Sequence, residues 1–301
     1  MLPDYLVERP VILCIPNLDS VVASALIIKE FEDVGIASTV HIVDSDVLRK
    51  VAATDTYVLV GIGIPPPPRV LGDVLSLVIS EDGGSSYLVG SDGSVKVLEV
   101  VKPPPSSYVR FVSQVLKLGR HVSEPLIMII EGSSPNLSSE RVIKASLAMY
   151  RDVKALYSVV NYVVSNDVTS LRMLIEEYAE MYESEEARYV AEIDGRSIKL
   201  GNYVLTYYDT FSKERAYINE VVEKYVTSGV GTILVGCRGG LAIKLELVNI
   251  DRKDVEGIIN LFRGLISESA VINDVIRLYL KYPYPQAQDV IKGLMSYFRE
   301  S

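Results

Sequence analysis

The sequence predicts an α/β protein in three parts: an N-terminal parallel-sheet lobe over residues 1–135, a helical connector over 136–187, and a smaller α+β lobe over 188–301. Three observations predict it. Four short runs in the first eighty residues are rich in Val, Ile and Leu without polar alternation, as strands covered on both faces are. Helical segments lie between these runs. From residue 138 to 184 the pattern is helical almost throughout, and beyond it strand-like runs, turn signals and helices mix.

The first strand is VILCI at 11–15. It ends in the polar corner Pro16-Asn17-Leu18-Asp19, which opens into an apolar helix over 20–34. Asp19 or Ser20 can serve as the N-cap, and Gly35 stands at the stop position. A carboxylate in such a corner lies at the carboxyl end of a strand, where open α/β sheets place their ligands. Strands follow at 39–43 and 57–62, with a short helix at 46–53 between them. The four prolines 65–68 make a stiff corner, because each fixes its own φ and lacks an N–H. The fourth strand, 74–79, leads to the corner Ser80-Glu81-Asp82-Gly83-Gly84. In 86–101, Ser91-Asp92-Gly93 punctuates two β-rich runs, a hairpin signal. A helix over 107–118 stops at Gly119, and LIMII at 126–130 reads as another buried strand.

Within the helical stretch, Ser165-Asn166-Asp167 marks a break and a new cap. In the second lobe, 189–193 and 197–200 flank Asp194-Gly195 as a predicted hairpin. A strand at 203–207, a helix at 213–227 and strands at 232–236 and 241–248 follow. Asp251 caps a helix over 252–265, and two further helices, separated by Tyr282-Pro283-Tyr284-Pro285, complete the chain.

Composition narrows the function classes. A net charge of -9 argues against broad non-specific nucleic-acid binding, although a local basic groove is compatible with it. Apolar runs are too short to span a bilayer and the N-terminus lacks a basic-then-apolar signal pattern, so a cytoplasmic location without membrane association is expected. Cys14 and Cys237 lie in apolar runs and are expected as buried free thiols. With His41 and His121 they are too few for a zinc site without carboxylate help. Only three glutamines beside many ionisable residues is a composition of thermophile type. A P-loop, a Gly-x-Ser-x-Gly elbow and a dinucleotide fingerprint are all absent.

The order of elements, together with Asn17-Leu18-Asp19-Ser20-Val21-Val22-Ala23-Ser24-Ala25, resembles the DHH phosphoesterase superfamily, to which the RecJ-type nucleases belong. That family opens its first helix with Asp-x-Asp and needs clustered carboxylates and histidines, since two cations must polarise the phosphate and generate the hydroxide. Carried over position by position, the first aspartate falls on Asn17 and the second is kept as Asp19. The third strand, Val58-Leu59-Val60-Gly61-Ile62-Gly63, offers no carboxylate, and the Asp-His-His signature falls on Ser80-Glu81-Asp82 without either histidine. Asp19, Glu81 and Asp82 are the acidic residues left to gather at the sheet edge, where three oxygen donors could hold one Mg2+ weakly. Helix capping by Asp19 and turn formation by Glu81 and Asp82 account for the same residue types.

In the second lobe, Gly239-Gly240-Leu241-Ala242-Ile243-Lys244-Leu245-Glu246-Leu247 and the segment from Asp251 to Gly264 resemble the DHHA1 domain that follows DHH domains. Glu246 and Val248 fall near the family's substrate-facing Ser and Arg, and Phe262-Arg263-Gly264-Leu265 stands where its glycine-histidine loop would be. Cys237-Arg238-Gly239-Gly240 reads either as a substitute phosphate loop or as a plain hairpin. The basic residues singled out for nucleic-acid contact are Arg238, Lys244 and Arg263.

The resemblance implies a degenerate, catalytically inactive RecJ-like protein without a cofactor. Such members serve in archaeal and eukaryotic replication machinery, where a RecJ-like factor joins the GINS complex and the MCM helicase, and single-stranded DNA is a further implied ligand. The alternative is a phosphoesterase or exonuclease acting on short oligonucleotides or nucleotides through Asp19, Glu81 and Asp82 with Mn2+ or Mg2+.

Overall fold

The computed structural model of the chain describes residues 10–43, 57–62, 74–80, 83–90, 94–135, 137–150 and 152–300. The helix expected at 46–53, the prolines 65–68, Glu81, Asp82 and the turn 91–93 lie outside the described residues. The chain divides into two compact units, Met1–Glu183 and Ser184–Ser301.

The first unit opens with β1 (Val11–Cys14), α1 (Leu18–Asp33), β2 (Thr39–Ile42), β3 (Tyr57–Val60), β4 (Val74–Ser80), β5 (Gly83–Val89) and β6 (Val95–Val101). They form a sheet in the order β2-β1-β3-β4-β5-β6. β1 pairs parallel with β2 and β3, and β3 pairs parallel with β4. This is the parallel core that continuous apolar runs require, and β3 is buried at all four residues. β4, β5 and β6 continue antiparallel, so Gly83 and Gly84 belong to a strand and not to a corner.

α1 is apolar nearly all round, from Leu18 through Phe31, which suits a helix enclosed on every side. It packs on β1, α2 (Tyr108–Val115) and α5 (Val153–Val164). Each fully buried Val, Leu or Ile there contributes roughly 1.5–3 kcal/mol. The helix starts two residues earlier than predicted, with Asn17 as its N-cap in place of Asp19 or Ser20. Val34 closes it, and Gly35 follows at φ +78°, a conformation that favours glycine.

The run 126–130 is not a strand. It belongs to α3 (Arg120–Ile130), which therefore also holds His121, expected in a loop. Leu126, Ile127, Ile129 and Ile130 are buried while Met128 is exposed, a helical and not an alternating pattern. A short apolar run fits a buried strand and a buried helix alike. After the small ladder of β7 (Ser133–Ser134) and β8 (Leu137–Ser138) come α4 (Ser139–Met149), α5 and α6 (Val168–Gly195). Val142, Met149, Leu156, Leu171 and Ile175 join Ile12, Val22 and Val58 in one core, so the helices read as a connector are also structural members of the first unit. α6 also absorbs 189–193, predicted as a strand, because Val190 and Ile193 stand one helical turn apart and pack in one cluster with Tyr208, Ile218 and Val221.

The second unit contains β9 (Ile198–Leu200), β10 (Tyr203–Asp209), α7 (Glu214–Thr227), β11 (Gly231–Arg238), β12 (Leu241–Val248) and α8 (Arg252–Leu261). The region expected as a helix after residue 265 is instead the hairpin β13 (Ile266–Ile272) and β14 (Val275–Leu280), followed by α9 (Ala287–Glu300). The sheet runs β13-β14-β12-β11-β10-β9, with β10 and β11 parallel and the other pairs antiparallel. This is the expected mixed α+β arrangement. One face packs Ile233, Val235, Leu245, Leu247 and Leu278 against α8 and α9. The other packs Tyr208 and Leu234 against Ile193, Ile218 and Val221.

Candidate functional site

The corner after β1 is the address that the sequence marks. Asn17 has extended backbone angles and its Oδ1 accepts the Ser20 N–H at 2.8 Å, the bond an N-cap makes. Asp19, in the first turn of α1, turns away from its own helix. Its Oδ2 accepts the Tyr108 N–H at 2.7 Å and its Oδ1 accepts the Val109 N–H at 3.0 Å. Those two residues open α2, whose N-cap Ser107 accepts the Arg110 N–H at 3.2 Å through Oγ. A helix leaves its first four N–H groups without partners inside the helix. Three of those in α2 are met by Asp19 and Ser107.

Glu131 completes the cluster. Its carboxylate accepts from Ser106 Oγ at 2.5 Å, Ser107 Oγ at 2.9 Å, and Arg110 Nε and Nη2 at 2.8 and 2.6 Å. The Arg110 bonds hold its pKa down at about 2, with the two serines adding to the effect. Asp19 moves the other way: burial raises its pKa and outweighs the two backbone N–H bonds, and the Glu131 charge adds to the rise.

Among the described residues, the ends of β3 and β4 carry no further carboxylate or histidine. β3 is followed by Gly61, whose φ is +74° and where an added Cβ would stand 2.9 Å from Ser20 Oγ and 3.1 Å from Ile15 Cδ1. β4 ends at Ser80, paired directly with Gly83. His41 is exposed on β2. Among the described residues, no three histidine, cysteine, aspartate or glutamate side chains are placed to hold a metal ion. Manganese or magnesium drawn to Asp19 would share its two oxygens with the Tyr108 and Val109 N–H groups and would meet no cluster of three such ligands among the described residues. The described donors therefore do not fit the two-metal centre of the DHH pattern.

In the second unit Glu246 is buried on β12. Its Oε2 accepts the Tyr208 hydroxyl at 2.7 Å, and its Oε1 lies 3.2 Å from Lys244 Nζ and 2.9 Å from Arg277 Nε. Burial and the Glu246 carboxylate both push the Tyr208 pKa up. The Lys244 side chain is only 18% exposed. Its stem lies against Gly236, where a Cβ would come within 2.8 Å of Lys244 Cγ. Lys244 is thus committed to an internal ion pair, whereas Arg238 and Arg263 are exposed. Arg238 stacks over the Phe211 ring at 4.4 Å. Cys237-Arg238-Gly239-Gly240 is a hairpin: Arg238 pairs with Leu241, and Gly239 and Gly240 have φ of +55° and +82°. Cys14 and Cys237 are buried free thiols, with pKa values raised by burial to about 11.

Sequence reasoning passed over two features. It treated Tyr282-Pro283-Tyr284-Pro285 as a separator, although aromatics held between prolines are a surface signal. It also left Phe211 unmarked, which is 70% exposed.

No protein-family model matches the sequence, and no curated protein matches it. Among solved structures, the chain is similar to the pGpG-specific phosphodiesterase PggH of Vibrio cholerae, at 10% identity and a TM-score of 0.48, covering 97% of this chain and 99% of that one. An exonuclease RecJ bound to manganese aligns over 98% of this chain and 91% of its own, at 8% identity and a TM-score of 0.43. CDC45 from Entamoeba histolytica aligns over 97% and 95%, at 8% identity and a TM-score of 0.35.

Proposed function

We propose that this chain is a catalytically inactive, RecJ-like scaffold of the DNA replication machinery, which binds GINS- and MCM-type proteins. The observation that carries the reading is the use of Asp19. The acidic residue that the DHH pattern would assign to metal has both oxygens bonded to the N-terminus of α2. The neutral Asn17 and the crowded Gly61 corner support the same reading. Ile143 and Leu147 of α4, Tyr150 at its C-cap and Val153 of α5 are exposed, a surface that partner proteins can cover. Co-purification and calorimetry with GINS and MCM test the proposal, and absence of association with both overturns it. A manganese titration with a labelled oligonucleotide tests the non-catalytic part. Cleavage that Asp19→Ala abolishes would establish instead a metal-dependent phosphoesterase working through Asp19, Glu81 and Asp82.

A further inference from the structure

The outer edge of β6 is open and carries an apolar stripe. β6 is the last strand of the first unit's sheet, and among the described residues no strand pairs with its far side. Val95, Val97 and Val100 are 55%, 52% and 50% exposed. Edge strands are usually guarded, since a row of unpaired N–H and C=O groups invites another strand. A lysine and a bulge are two such guards, and β6 has both. Here the two together do the opposite.

Ladder register fixes which side chains share a face. Val95, Val97 and Val100 stand opposite Val89, Tyr87 and Ser85, alternate residues of β5, so the valines form one face. Lys96, Glu99 and Val101 stand opposite Leu88, Ser86 and Gly84 and form the other. Leu98 is the extra residue where the register shifts. Without it, residues 96 and 99 would point to opposite faces, as any two strand positions three apart do. The bulge puts the lysine and the glutamate on one face and the three valines on the other. Both charged side chains are exposed, and neither has an ion-pair partner among the described residues.

This pattern complements itself. A two-fold axis normal to the sheet keeps each face on its own side and sets a second β6 antiparallel to the first. In one register Lys96 of each copy stands opposite Glu99 of the other. The same register sets Val95 of each copy opposite Val100 of the other on the valine face, with both Val97 side chains beside the axis. Registers that oppose Lys96 to Lys96 or Glu99 to Glu99 bring like charges together, so charge selects the reciprocal one.

We propose that β6 is the seam of a homodimer, in which the outer edges of two copies pair antiparallel and join their six-stranded sheets. The seam stands apart from the scaffold reading, whose partner surface lies on α4 and α5. Seven residues at about 3.4 Å each make a seam of about 24 Å. That length puts the interface at the low end of specific contacts, with a dissociation constant on the order of 10 μM.

The test is sedimentation velocity of the full chain from about 1 to about 200 μM. The mass is expected to rise from one chain towards two and no further, because a two-fold seam closes. Val97→Lys sets two ammonium groups beside the axis and weakens association about 10-fold or more. Lys96→Glu and Glu99→Lys each oppose like charges twice and weaken it about 5-fold. Mixing these two variants restores association as a heterodimer, and the double exchange in one chain restores the homodimer. A folding defect would give neither recovery, and thermal melts verify that each variant is folded. A single-chain mass throughout, a Val97→Lys variant that associates like the parent, or failure of both recoveries would each overturn the seam. So would a monomer whose GINS or MCM association is lost on Val97→Lys, since β6 would then dock another protein's strand. Absence of GINS and MCM association in the parent bears on the scaffold reading alone.

Discussion

Asp19 Oδ2 accepts the backbone N–H of Tyr108 at 2.7 Å, across 89 positions of sequence. With the second bond to Val109, one carboxylate ties the first turn of α1 to the start of α2. Asp19→Ala removes both acceptors and leaves two partly buried N–H groups without partners, at a cost of about 2 kcal/mol. Asp19→Asn keeps one acceptor and costs about half as much. Urea unfolding measures both, and an alanine variant as stable as the parent would show that water replaces the carboxylate.

Glu131 and Asp19 bend the acid limb of stability in opposite directions. The folded pKa of Glu131 is depressed from the 4.5 of a free glutamate to about 2, so its contribution is present above 4.5 and is lost as pH falls towards 2. The folded pKa of Asp19 is raised above 3.8, so that residue lowers stability as pH rises through the interval between its unfolded and folded values. Melting temperatures of Glu131→Gln should therefore depend less steeply on pH between 2 and 4.5 than those of the parent. A parallel dependence in the two proteins would contradict the assignment.

Glu246 balances two cations inside the second unit, Lys244 at 3.2 Å and Arg277 at 2.9 Å. Glu246→Ala leaves both without a counter-charge and costs about 3 kcal/mol or more. Tyr208→Phe removes one hydrogen bond to the same carboxylate and costs roughly 1 kcal/mol. Replacing the Lys244 and Glu246 side chains together by Met and Leu should recover part of the single-variant loss, because an apolar pair needs no compensation. A double-variant cycle in chemical denaturation reads the coupling.

The β13–β14 turn places two non-glycine residues in the left-handed region, Asn273 at φ +49° and Asp274 at φ +62°. Ile272 pairs with Val275, so these two form the whole connection. Asp274→Gly is expected to stabilise by about 0.5 kcal/mol and Asp274→Val to destabilise by about 1 kcal/mol or more. Thermal melts give the order, and a valine variant as stable as the glycine one would refute it.

The same turn shows where sequence reading was blind. Asn273-Asp274 between VI pairs is a hairpin signal, yet the sequence reading places a helix between residue 265 and Tyr282. The run 126–130 failed for the converse reason, since five apolar residues without turn signals carry no period of their own. The parallel strands β1, β3 and β4 were legible because burial writes continuous Val, Ile and Leu runs, and helix α1 because a polar corner and Gly35 bracket it, although its cap is Asn17 and not Asp19 or Ser20. Of the candidate site, the corner holding Asp19 was legible, but the work that Asp19 performs was not.

Local chemistry settled β1, β3, α1 and the β11–β12 turn: β-branched runs prefer strands, small apolar residues between a cap and a glycine make a buried helix, and Gly-Gly turns a hairpin. Side-chain partnerships came from the fold. Asp19 meets Tyr108, and Glu246 meets Lys244 and Arg277, because strand register and helix packing bring distant segments together. Periodicity along a chain encodes which face is buried. Which residue stands opposite depends on register between elements, and no stretch of sequence contains that information alone.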